Sequence, residues 1–127
     1  MINEDGVSKI VVDSAIEVHK TLGGPGLLES VYEEALVWEL NKRGLKTKRQ
    51  ILLPVSYKGR SLDSTLRIDL MVSDLVLVEC KATTREDDIF KSQLLTYLRL
   101  TRLKLGLLIN FGKPMVKNGI HRIVNRL

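Results

Sequence analysis

Val11, Ala15, Val18 and Leu22 fall at i, i+4, i+7 and i+11, a single apolar stripe that predicts a helix over Ser8–Leu22. The run Gly23-Gly24-Pro25-Gly26 breaks it. Leu28, Val31, Tyr32, Ala35, Leu36 and Leu40 form a second helical face and predict a helix over Leu28–Arg43, with Gly44 suited to the position just past its end. The pattern then becomes strand-like. Gln50–Tyr57 is a candidate strand in which Pro54 marks an edge or a bulge, and Lys58-Gly59-Arg60 reads as a turn. Leu66–Val72 and Leu75–Lys81 are nearly unbroken apolar strands joined through Ser73-Asp74 as a hairpin. The polar stretch Thr83–Asp88 can cap a helix over Asp87–Thr101. Leu105–Phe111 is a further apolar strand, and Ile120–Val124 a short last one, reached through Gly112, Pro114 and Gly119. The order α-α-β-β-β-α-β-(β) predicts an α/β (α+β) domain, a small mixed sheet flanked by helices. The helix between two buried strands implies a right-handed crossover between parallel neighbours.

At 127 residues the chain is expected to be one domain, 1–127, large enough to bury a core without staples. Its 44% hydrophobic and 28% charged residues are ordinary for a globular protein. Cys80 is the only cysteine, which excludes an intrachain disulfide and fits a reducing compartment. The start, Met1-Ile2-Asn3-Glu4-Asp5-Gly6, does not read as a signal peptide, and no apolar run reaches the roughly 18 residues a membrane helix needs. A cytoplasmic protein with no membrane partner is the expectation. The net charge of +5 points towards polyanions such as nucleic acid. From Arg99 to Leu127 there are Arg99, Arg102, Lys104, Lys113, Lys117, Arg122 and Arg126, and no acid.

The candidate chemistry lies in the hairpin. Asp69 interrupts Leu66–Val72, and Glu79-Cys80-Lys81 closes the next strand. Buried charges are costly unless paired or bound to metal. Alternation sets Glu79 and Lys81 on one face, points Asp69 away from Ile68 and Leu70, and turns Cys80 inward with Val76 and Val78 as a small core residue. Two carboxylates can hold a hard cation, which lowers the pKa of bound water and stabilises phosphoryl charge, while a lysine orients that water. Gln93 and Tyr97 share a helical face, and Glu29 sits in the first turn of its helix. Each also has a plain reading: a cross-strand ion pair, a carboxylate complementing a helix dipole, a core aromatic for Tyr32 or Tyr97. His19 and His121 do not make a zinc pair, and His19 suits a helix surface or a hydrogen bond.

Gly26-Leu27-Leu28-Glu29-Ser30-Val31-Tyr32 matches the Gly-x-x-Glu-x-x-Tyr signature of the GxxExxY protein family, assigned to the PD-(D/E)xK nuclease superfamily. Asp69, Glu79-x-Lys81 and Gln93-x-x-x-Tyr97 resemble that superfamily's core as it occurs in RecB-type nucleases. The likeness runs from Ile16-Glu17-Val18-His19 through Leu107-Leu108-Ile109-Asn110-Phe111. It implies a restriction-endonuclease-like core and a metal-dependent nuclease acting on phosphodiester bonds, of DNA. By it Asp69, Glu79, the Cys80 backbone carbonyl and Glu29 would hold Mg²⁺ or Mn²⁺. Lys81 would be catalytic together with the three acids, and Gln93, Tyr97 and Tyr32 would contact substrate, Gln93 and Tyr97 through the DNA backbone or by bracing the site. Two rivals stand beside it: a catalytically weak nucleic-acid-binding module of the same fold, motivated by the basic C-terminal third, and a protein-interaction scaffold. A homodimer is left open.

Overall fold

The computed structural model describes residues 2–126. Helix α1 spans Glu4–Thr21, four residues earlier than its apolar stripe predicts. Asn3 caps it, accepting from the Gly6 N–H at 2.9 Å, and Glu4 and Asp5 complement its dipole. Helix α2 spans Glu29–Lys42. Leu28, predicted to face the core, lies just outside it and is 72% exposed, because it is the extended cap residue and its side chain escapes the helical stripe.

Five strands follow: β1 Thr47–Tyr57, β2 Arg60–Val72, β3 Val76–Lys81, then after helix α3 (Asp88–Thr101) β4 Leu105–Asn110, a short 3-10 turn at Val116–Gly119, and β5 Ile120–Val124. They form one sheet in the order β1-β2-β3-β4-β5. All neighbours are antiparallel except β3 and β4, which are parallel and joined through α3, as the pattern predicts. Strands β1 and β2 are longer than expected by three and six residues, since their extra length carries no apolar run to announce it.

Two apolar clusters sandwich the sheet. Leu70, Val72, Val76, Val78, Cys80, Leu105, Leu107 and Ile109 pack against α1 and α2 through Val11, Val18, Tyr32 and Leu36. Ile68, Leu77 and Leu108 pack against α3 through Leu94, Tyr97 and Leu98. Burying each large side chain contributes roughly 1.5–3 kcal/mol. Both faces of β3 and β4 are thus filled, which is why they read as unbroken apolar runs. Among the described residues no helix is long and apolar enough to cross a membrane.

The β2–β3 hairpin turns at Ser73 and Asp74, both in the left-handed region (φ 54° and 56°), which suits the twist of a tight hairpin. Asp74 pairs with Lys46 and Lys48 at 3.0 and 2.9 Å. Beyond Lys81 the chain is pinned by Asn110. Its Oδ1 accepts from the N–H groups of Thr83 and Gly112, and its Nδ2 donates to the Thr83 carbonyl. Gly112 is required there: a Cβ would sit 2.4 Å from the Thr83 carbonyl oxygen.

Candidate active site

The two sheet faces exchange at one level of β1 and β2. Leu66 and Ile68 lie in the α3 cluster, whereas Leu70 and Val72 lie in the α1/α2 cluster. Strict alternation would keep Ile68 and Leu70 on one face with Asp69 opposite both. The structure corrects that expectation: the alternation breaks at Asp69. The partner strand breaks at the same level. Arg49 faces Leu70 and Ile51 faces Ile68, and between them Gln50, with φ 52°, lies opposite Asp69 without ladder pairing.

Gln50 is held in that unusual backbone state from α2. Its Nε2 donates to both carboxylate oxygens of buried Glu33, at 2.8 and 2.9 Å, and Arg49 donates to Glu33 Oε2 at 2.9 Å. Glu33 is therefore a brace for the break at Asp69. It was not singled out from sequence, although it lies one helical turn after Glu29. Glu33→Ala is expected to cost about 1–3 kcal/mol, because the Gln50 backbone strain and the Arg49 charge lose their partner. Urea unfolding midpoints measure this, and an unchanged midpoint would remove the role.

On the other side of β2 the antiparallel ladder runs Val72 with Val76, Met71 with Leu77 and Leu70 with Val78, then stops. Continuing that register would set Asp69 opposite Glu79. Their side chains replace the missing rungs. Glu79 Oε1 accepts from the Asp69 N–H at 3.0 Å, and Asp69 Oδ2 accepts from the Cys80 N–H at 2.9 Å. The carboxylates so satisfy backbone donors where the strands fork. Asp69 is 9% exposed and Glu79 6%. Burial, and then the Asp69 charge, push the Glu79 carboxyl up to about 8. Burial likewise raises Asp69, opposed by its bond from the Cys80 N–H. The Cys80 thiol is fully buried and pushed up, so it packs and does not act as a nucleophile.

Lys81 follows on β3, its Nζ 4.5 Å from the centre of the Phe90 ring in a cation–π contact, and it forms no ion pair with Asp69 or Glu79. Beside it a cavity of about 30 Å³, room for a water, opens between Glu86, Phe90, Asn110 and His121. Glu29, at the start of α2, is exposed, and its carboxyl is raised by partial burial, while the Lys81 charge lowers it and the Asp69 charge raises it further. Tyr97 is buried and its hydroxyl is raised by burial and by Glu79 and Asp69. Glu29 thus feels the Lys81 and Asp69 charges, and Tyr97 those of Glu79 and Asp69.

The other substrate candidates differ. Gln93 lies exposed one turn before Tyr97, without a side-chain hydrogen bond among the described residues. Tyr32 is fully buried and stacks on Phe111 with ring centres 4.7 Å apart. Its hydroxyl donates to the Gly24 carbonyl at 2.6 Å and accepts from the Leu27 N–H at 3.2 Å. The expectation of a substrate contact is corrected there: Tyr32 anchors the glycine loop and has no surface left to offer. His19 is also buried, its Nε2 3.1 Å from the Phe111 carbonyl oxygen. Arg67 was missed. It lies two residues before Asp69, its charge is felt by Glu29 and Tyr97, and it pairs with no carboxylate among the described residues. The only signal for it in the sequence is its place beside Asp69.

The basic C-terminal third does not gather at this site. Arg102 and Lys104 precede β4 and so lie at the end of the sheet away from Lys81 and Asn110, which are paired at the other end. Arg126 lies at that far end too, beyond Asn125, whose N–H donates to the Lys104 carbonyl. Arg122 pairs with Asp5, and Lys113 is the exception, 3.8 Å from the Glu86 that lines the cavity beside Lys81.

A family profile described as the PD-(D/E)XK nuclease superfamily matches residues 5–123. The chain belongs to that superfamily. Curated proteins and solved structures give no match. The five-stranded mixed sheet of this PD-(D/E)XK chain, flanked by α1, α2 and α3, agrees with the restriction-endonuclease-like fold. The superfamily works generally with divalent metal ions. Among the described residues no three His, Cys, Asp or Glu side chains gather at one point as a ready cage. The donor set nevertheless fits a hard cation. Asp69 and Glu79 each accept one backbone N–H and otherwise face each other, and two crowded carboxylates with raised proton affinity are the arrangement a divalent ion relieves.

Proposed function

We propose that this chain is a Mg²⁺- or Mn²⁺-dependent nuclease that hydrolyses phosphodiester bonds of DNA. The observation that carries the reading is the cross-braced pair at the strand fork, Asp69 and Glu79, with Lys81 two residues on. Asp69, Glu79 and the Cys80 carbonyl would hold the ion, with Glu29 reaching it directly or through water. When bound, the ion supplies charge neutralisation at the phosphate and an acidified water. The chain's own residues do the rest. The backbone bonds at the fork fix both carboxylates before substrate arrives, so little reorganisation remains. Lys81 donates to the attacking water or to a phosphate oxygen. Arg67, which pairs with no carboxylate among the described residues, suits a neighbouring phosphate. Gln93 lies exposed on α3 where a backbone would pass, and Tyr97, buried one turn further on, braces the site.

Incubation of supercoiled and linear DNA with the purified protein tests this. Nicking or cutting is expected with Mg²⁺ or Mn²⁺ and is abolished by EDTA. DNA left intact with both ions, while salt-sensitive binding persists, would instead favour a binding module of the same fold.

A further inference from the structure

We infer that the β1–β2 hairpin is an arm that grips duplex DNA beside the cut, an inference that rests on the nuclease reading above. Residues 56–65 are all exposed and add nothing to either apolar cluster. Ordering such a segment costs conformational entropy that its own burial does not offset. Along the first strand of the hairpin lie Leu52, 65% exposed, and Tyr57, 59% exposed.

Its tip is basic. Tyr57 pairs with Arg60 across a two-residue turn, Lys58-Gly59, with φ 50° and 78°. Lys58 Nζ lies 5.4 Å from the centre of the Tyr57 ring. Neither Lys58 nor Arg60 pairs with a carboxylate among the described residues, and Asp63 is the only acid between Leu52 and Leu66. The ladder shifts between Pro54 and Ser56: Pro54 faces Thr65 and Ser56 faces Ser61, so Leu62, Asp63 and Ser64 stand against Val55 alone. Such a bulge bends a ribbon and re-aims its end.

A second copy adding a strand to the outer edge of β1 is a poor occupant. Pro54 removes a donor in mid-strand, and Lys58, which pairs with no carboxylate among the described residues, charges its end. A free basic tip complements phosphate instead, and a two-stranded ribbon is of a size that enters a major groove. The base of the arm is the site itself, since Arg67, Asp69 and Gln50 lie on the same two strands. From Gln50 to Tyr57 the strand spans roughly 23 Å. That is roughly seven base pairs of rise. The tip would therefore meet the duplex on one side of the cleaved bond.

The test is fluorescence anisotropy of a 24-bp DNA duplex in EDTA, with wild type and the double variant Lys58→Glu/Arg60→Glu. Binding should weaken at least tenfold, and the dependence of log affinity on log salt should become shallower by about two. The melting temperature should stay within about 2 °C, because no buried group is touched. Trimming the duplex to 8 bp should weaken the wild type far more than the variant. Equal affinity and slope for the two proteins would overturn the arm while leaving the nuclease reading in place. A wild type that binds no duplex in EDTA would also overturn the arm, and one that in addition cuts no DNA with Mg²⁺ or Mn²⁺ would overturn both. Loss of a dimer on gel filtration with DNA binding unchanged would assign the arm to a second copy instead.

Discussion

Lys81→Ala and Asp69→Asn are each expected to lower the proposed metal-dependent DNA cleavage by at least about a hundredfold, the usual scale for removing one pre-positioned charge from a phosphoryl or acyl transfer site. Asp69→Asn is the sharper probe. Its amide oxygen can still accept from the Cys80 N–H, so the strand fork survives while the charge is lost. Lys81→Ala removes an ammonium that rests on the partly buried Phe90 ring, and the backbone around it stays pinned by Phe111 and Asn110. Both variants should fold, with unfolding midpoints near the wild type. Single-turnover cleavage under saturating Mn²⁺ is the measurement. Wild-type rates in both would end the assignment of chemistry to this hairpin, whatever the fold.

In metal-free buffer the protein is expected to lose stability as the pH rises from 5 to 8. The sign follows from Glu79. Its carboxyl in the folded chain is pushed up to about 8, against 4.5 in a free chain. Between those values the folded state keeps a proton that the unfolded state has released, so raising the pH favours unfolding. The contribution is fully present below the lower value and is lost as the pH passes the upper one. Asp69 is raised as well, so it acts in the same direction, and the two titrate as a pair. The effect is on the order of a few kcal/mol. Glu79→Gln should flatten the profile and stand above wild type at pH 8. Millimolar Mn²⁺ should restore the wild type there and leave Glu79→Gln little changed, because a bound cation stabilises only the folded, ionised pair. Melting temperatures across the pH series in EDTA and in Mn²⁺ decide it. A wild type as stable at pH 8 as at pH 5 without metal would contradict the crowding of these two carboxylates.

The element order was legible because each packed element carries its own period. The Val11–Leu22 stripe, the face around Leu36 and the unbroken runs of β3 and β4 each need burial on a known side, and the sheet supplies it. The acid–acid–lysine set was legible for a related reason: charges set into apolar runs must be compensated, and their spacing shows which strands share them. The ends of β1 and β2 were not legible. Their outer residues are exposed and polar, and nothing in their pattern separates an ordered arm from a loop. Leu28 and Tyr32 misled for opposite reasons, the first lying one residue outside its helix and the second having a hydroxyl consumed by Gly24 and Leu27.

Sequence alone therefore determined which groups could do chemistry and in what order the strands would form, since residue type and period are local properties. Only the tertiary structure decided that Asp69 turns towards Glu79. That turn depends on a left-handed Gln50 in the neighbouring strand and on Glu33 in a helix more than thirty residues away, and neither influence is written in the hairpin's own residues.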